Sequence, residues 1–145
     1  MARIEIHLPE QVLFSTDLAI RIADINYGGH LGNDRVLALA QEVRVQWLAG
    51  HGLTELDAGG AGLILADAAV VYRAEGRHGM VLRCDLRVGE LRSRSVELVY
   101  QFTDLASGQE IARVMTSVLC FDYAARKVVR LTSALRGALG ALGAG

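Results

Sequence analysis

The spacing of apolar and polar positions predicts one helix set among strands. Leu18, Ile20 and Ile22 alternate with Ala19, Arg21 and Ala23, the period of a strand. From Asp34 to Ala49 the period changes. Val36, Leu37, Ala40, Val43, Trp47 and Leu48 recur at three and four, as on one face of a helix. Leu39 and Val45 add apolar surface elsewhere, so this helix is expected to be buried on more than one side. Asn33 or Asp34 is expected to cap its start, and Gly50-His51-Gly52 to stop it. Thr54 to Gly62 is a linker with room for one helical turn. Four further strands are predicted over Leu63–Glu75, Met80–Leu91, Ser95–Leu105 and Glu110–Asp122. The second of these places Leu82, Cys84, Leu86 and Val88 opposite Arg83, Asp85 and Arg87. The third does the same with Val96, Leu98, Tyr100 and Phe102. Ala106-Ser107-Gly108 and Tyr123 to Arg126 read as hairpin turns. The single proline, Pro9, leaves long strands unbroken. The Ala/Gly/Leu-rich tail from Ser133 to Gly145 is expected to form a short frayed helix.

One strand, one long buried helix and four antiparallel strands make an α+β layer fold, the sheet wrapped around the helix. A chain of 145 residues fits a single core, and no linker or repeat divides it, so one domain over 1–145 is expected. With 52% hydrophobic residues it is not disordered. A net charge of −1 gives no electrostatic case for nucleic acid or an anionic membrane surface. No window approaches the ~20 apolar residues of a membrane span. Met-Ala-Arg-Ile-Glu-Ile-His at the start lacks the apolar core of a signal segment, so a cytoplasmic setting is expected. Cys84 and Cys120 fall at apolar positions of predicted strands and read as small core residues.

The chemistry concentrates in Asp24-Ile-Asn-Tyr-Gly-Gly-His-Leu-Gly-Asn33. Asp24, Asn26 and His30 surround two adjacent glycines between a strand and a helix N-terminus. Such a place gathers bare N–H groups and a positive dipole end, and can polarise a carbonyl oxygen or hold an anion. Asp24 serves equally to bond loop N–H groups or to do chemistry, and Asn26 to form the turn or to contact substrate or water. Gly28 and Gly29 meet backbone-angle demands and allow close approach of a ligand. Histidines 7, 30, 51 and 78 are scattered without metal-ligand spacing, so neither metal nor cofactor is called for.

These motifs resemble the hotdog-fold acyl-CoA and acyl-carrier-protein thioesterases, of the 4-hydroxybenzoyl-CoA thioesterase-like kind. The resemblance rests on Asp24-Ile-Asn26, Gly28-Gly29-His30, and Asn33 opening the helix, then Glu42-Val-Arg44 and Trp47-Leu48. Tyr72, the turn Arg77-His78-Gly79, and Phe121-Asp122-Tyr123 extend it, over about residues 15 to 131. It implies a long central helix wrapped by a curved antiparallel five-stranded sheet. It also implies hydrolysis of an acyl-CoA or acyl-carrier-protein thioester, coenzyme A entering only as part of the substrate. An oxyanion donor, a carboxylate or base, and an acyl slot are then needed. Tyr27, Gly28, Gly29 and Asn33 are expected at the substrate. Arg77 and His78 are candidates for its phosphates, although the arginines at 73, 77, 83, 87, 92 and 94 also suit a solvated sheet face.

The sequence departs from several relatives at Asn26, where they carry the working Asp. Two carboxylates remain. Asp24 lies in the loop, and Glu42 lies on the helix without an opposite charge at three or four residues. An unpaired Glu on a largely apolar helix is costly to bury, which suggests a task. Glu42 lies ~13 Å along the helix from Asn33 at the usual rise per residue, so it would face a partner subunit's loop. Arg44 is read as a structural partner of a loop or interface carboxylate, and Asp67 as an edge-exposed residue of its strand. A homodimer, or a dimer of dimers, joins the open sheet edges and completes the site. A non-catalytic acyl-binding hotdog protein is the alternative from another class. A hotdog hydratase, suggested by Asp24-x-Asn26 before His30, is a third.

Overall fold

The computed structural model describes residues 3–140. Strand β1 (Val12–Ala19) leads through a short 3-10 turn (Ile22–Asp24) into helix α1 (Asn33–Gly50). Strands β2 (Gly62–Tyr72), β3 (Val81–Leu91), β4 (Ser95–Asp104) and β5 (Glu110–Asp122) follow, then a short β6 (Lys127–Val129) and helix α2 (Ser133–Ala138). The strands pair antiparallel in the order β1-β3-β4-β5-β2, with β6 beside the end of β5. β1 and β2 are therefore the long edges.

Period-two patterning fixes which side of the sheet meets the helix. Leu82, Cys84 and Leu86 of β3, Val96, Leu98, Tyr100 and Phe102 of β4, and Val114, Val118 and Cys120 of β5 are buried. Against them α1 places Val36, Leu39, Ala40, Val43, Trp47 and Leu48. Truncating a residue so enclosed, such as Leu48, costs ~2–5 kcal/mol of lost transfer energy and cavity. This packing fixes where the start of α1 sits.

The fold and most element positions match the expectation from sequence; five details differ. The strand before the loop starts at Val12 and ends at Ala19, and Ile22 is exposed. The chain leaves the ladder because the Asp24 carboxylate takes the N–H of Arg21 at 2.9 Å, a local bond that competes with strand pairing. Gly32, not Asn33 or Asp34, is the cap of α1, and Asn33 lies in its first turn. The N–H of Gly32 is drawn back to the Asp24 carbonyl at 2.9 Å, which sets the boundary one residue earlier. The 54–62 linker forms no helical turn. Thr54 Oγ1 accepts from Asp57 N–H, and Asp57 Oδ1 accepts from Gly59 and Gly60, closing side-chain turns instead. A sixth strand, β6, extends the expected five. Finally, α2 is docked rather than frayed. Thr132 Oγ1 caps it at 3.1 Å from Leu135 N–H, and Leu135 and Leu139 enter the core. The part of the tail after residue 140 lies outside the described residues. With Ile6 also buried, the core reaches beyond residues 15–131 at both ends.

Candidate active site

The loop between the 3-10 turn and α1 is closed by its own hydrogen bonds. Asn26 N–H donates to the His30 carbonyl and Gly29 N–H to the Asn26 carbonyl, both at 3.0 Å. Asn26 Oδ1 accepts from Gly28 N–H at 2.9 Å. Gly29 sits at φ +81°, the left-handed region that a side chain disfavours. A Cβ on Gly28 would stand 3.3 Å from both Asn26 Oδ1 and His30 Nε2. Gly29 is thus required by its backbone angle, and a side chain at 28 would crowd Asn26 and His30. The N–H of His30 meets no protein acceptor among the described residues.

A second segment is tied to this loop. Past the end of β2, the Gly76 carbonyl accepts the N–H of Leu31 at 2.8 Å. A Cβ on Gly76 would meet Ile20 at 2.8 Å and Leu31 at 3.0 Å, so the two strands of chain approach as closely as they do because residue 76 is glycine. That contact brings Glu75 to His30, with Oε1 and Nε2 4.0 Å apart. His30 Nδ1 lies 3.3 Å from the Leu31 carbonyl, which favours the proton on Nδ1 and a free lone pair on Nε2. The separation of 4.0 Å exceeds a direct hydrogen bond and lets both atoms hold one water. Tyr72 closes another side, its hydroxyl donating to the Asn33 carbonyl at 2.9 Å. Burial, then the nearby Asp34 carboxylate, pushes the Tyr72 phenol pKa up, so it stays a donor.

Asn26, Tyr27, His30, Asn33, Tyr72 and Glu75 line a cavity of about 470 Å³, with Leu31, Val36 and Ile111 forming apolar wall. The start of α1 opens on it. Asp24 does not line this cavity: it is buried, held by Arg21 N–H and 3.6 Å from the Arg21 guanidinium, and it borders a second cavity. Glu42 is exposed and lines a different cavity, beside Asp17, Arg21 and Arg35. The burial that suggested a task for it is absent in the single chain. Arg77 is paired with Glu75 at 2.9 Å, His78 is exposed, and neither lines the cavity. Arg44 does pair with a loop carboxylate, Glu55, at 3.3 Å. Cys84 and Cys120 are free and buried, and Asp67 is exposed on edge strand β2. Among the described residues no three His, Cys, Asp or Glu side chains cluster as metal ligands. Sequence reasoning missed Glu75. The only available signal was a lone carboxylate between Arg73 and Arg77 at the end of a predicted strand, and nothing local points it to residue 30.

A helix wrapped by a curved antiparallel sheet, with a polar cavity where that helix begins, defines a hotdog domain. Residues 20–139 match the model of the Thioesterase-like superfamily, and the chain belongs to that superfamily. Its structure is similar to that of Slr0204, a 1,4-dihydroxy-2-naphthoyl-CoA thioesterase from Synechocystis. That match has 22% identity and a TM-score of 0.81, over 89% of this chain and 96% of that one. The YbaW probable thioesterase of Escherichia coli aligns at 21% identity and TM-score 0.69, over 86% and 95% of the two chains. TT1821, a hypothetical protein from Thermus thermophilus, aligns at 24% and 0.76, over 88% and 98%. Among curated protein sequences none matches. No helix among the described residues is long and apolar enough to cross a membrane.

Proposed function

We propose that the chain is a thioester hydrolase acting on an acyl-coenzyme A, with His30 and Glu75 as its acid–base pair. The observation that carries this is the 4.0 Å approach of Glu75 Oε1 to His30 Nε2 at the edge of a cavity opened by a helix N-terminus. A water held between the two attacks the thioester carbonyl, and Glu75 or His30 takes its proton. The oxyanion that forms accepts from the unpaired N–H of His30 and is stabilised by the positive end of α1. Asn26, whose Oδ1 is engaged by Gly28, keeps its amide hydrogens for the same oxygen or for the water. Collapse of the tetrahedral intermediate breaks the C–S bond. The leaving thiolate takes the proton from the base, giving a free carboxylic acid and a thiol. That Slr0204 is a 1,4-dihydroxy-2-naphthoyl-CoA thioesterase supports coenzyme A as carrier.

Two chains joined along their β2 edges form the proposed assembly, since the middle of β2, Leu65 to Ala68, is exposed and unpaired on one side. The exposed Tyr27 then has a partner surface to meet. Release of free thiol from short, branched, aromatic and long acyl-coenzyme A substrates, followed with a chromogenic thiol reagent, tests the reading. Turnover that falls ~10²-fold in Glu75→Gln supports it. Hydration of an enoyl thioester would make the protein a hydratase, and saturable binding without either reaction a carrier.

A further inference from the structure

Outside the cavity, residues 3–7 run beside Val71, Tyr72, Arg73 and Arg113 and leave a groove of about 460 Å³. Arg3, His7, Arg73 and Arg113 line it, and Glu5 is the one carboxylate on its wall. Two of these guanidiniums are fixed from behind. Glu110 lies 3.4 Å from Arg73 Nε and 2.8 Å from Arg113 Nε, and also accepts from Gln101 at 2.7 Å. Burial alone would raise the Glu110 pKa, but the hydrogen bonds from Arg113 and Gln101 outweigh it and keep the carboxylate ionised. Arg113 Nη1 donates to the Ile6 carbonyl at 2.8 Å, which holds the 3–7 segment in place. The Nη atoms of Arg73 meet no acceptor among the described residues, and the side chain is 44% exposed. A guanidinium anchored through Nε with its far edge open is preorganised for a phosphate. Arg77, by contrast, already spends Nη2 on Glu75.

Tyr72 and Arg73 line both this groove and the cavity of His30, so the two spaces meet across the end of β2. We infer that the groove between residues 3–7 and the end of β2 seats the phosphate-bearing half of a coenzyme-A-type thiol, with Arg73 and Arg3 as its charge partners. This rests on the thioester reading for the identity of the ligand, while the groove's preference for phosphate stands on its own residues. A carrier protein would present its single phosphate from a folded surface. A cleft of this volume, walled by a segment and a strand, suits a small nucleotide-bearing thiol instead.

Calorimetric titration of the full chain with desulfo-coenzyme A, which cannot be turned over, is the test. Arg73→Gln and Arg3→Ala should each weaken its binding about tenfold, as loss of a charge-assisted hydrogen bond would. Added salt should weaken the wild type more than either variant. Pantetheine, which lacks phosphate, should bind all three proteins alike. Equal affinity of desulfo-coenzyme A for all three proteins, or affinity no better than that of pantetheine, overturns the inference. Turnover of thioesters on a carrier protein combined with variant-blind desulfo-coenzyme A binding does the same, and makes the carrier the donor. The expected binding pattern without hydrolysis of any thioester would leave the groove assignment standing and defeat the proposed hydrolase.

Discussion

Two ionisable pairs beside helix α1 are built differently. Arg44 and Glu55 lie 3.3 Å apart with side chains 4% and 27% exposed. Arg44 also donates to the Tyr100 hydroxyl at 3.0 Å, which lies 3.4 Å from Thr116 Oγ1. His30 and Glu75 stand 4.0 Å apart, 35% and 57% exposed, on a loop and a strand exit. The first pair is largely buried and ties the middle of α1 to the linker that follows, although Arg44 Nε and Glu55 Oε1 lack hydrogen-bond partners among the described residues and both residues border a separate cavity of about 430 Å³. The second is loose and wet, with a lone pair and a carboxylate edge facing a cavity. Burial of polar groups therefore does not by itself mark the reactive site in this molecule; the second pair is set apart by its exposure and by its place beside the glycine loop and the start of α1. Buried ion pairs in general hold geometry more than they add stability.

The contrast can be broken at its structural end first. Arg44→Ala should destabilise the fold by ~3 kcal/mol, the low end for a broken buried pair, because Glu55 can rehydrate. Urea unfolding measures this, and a loss under ~0.5 kcal/mol would show that the pair holds nothing. At the reactive end, Glu75→Gln should lower kcat ~10²-fold, equivalent to ~2.7 kcal/mol, with the melting temperature unmoved. Glu42→Gln serves as its control and should stay within ~2-fold. The reverse result in steady-state kinetics would move the base to α1, facing a partner's loop. Gly29→Ala should cost ~1–2 kcal/mol, because the left-handed backbone must then carry a Cβ. If its melting curve overlays the wild type, the loop is free to relax and the geometry argued for Asn26 and His30 loses its support. The smallest effect is expected inside the sheet. Burial raises the pKa of the Cys84 and Cys120 thiols. Alkylation at pH 8 should therefore leave both untouched in the native protein and modify both after unfolding, with mass spectrometry as the readout.

Period and turn chemistry made the sheet and α1 legible, because both follow from which side chains must leave water. Four of the five long strands and the helix fell within a few residues of expectation. Boundaries failed where a side chain bonded backbone nearby: Asp24 ended β1 early, and Asp57 replaced a helical turn with a side-chain turn. The loop half of the site was readable because its glycines and polar residues are contiguous. Glu75 was not, since its role depends on a hydrogen bond between residues 31 and 76 that no local pattern encodes. Glu42 is a different case. An unpaired charge on a predicted buried helix reads as costly, but its position on that helix is exposed in the single chain.

The Leu31–Gly76 hydrogen bond, with Gly76 pressed against Ile20 and Leu31, has a consequence for anyone recombining such domains. Residues 24–33 and 74–76 form one transplantable unit despite the helix and strand between them. A chimera that imports the loop alone inherits a foreign dock for its histidine, and one that imports only the strand exit delivers a carboxylate to the wrong address. Crossovers placed inside α1 would separate the halves; those placed before Val12 and after Met80 would keep them together.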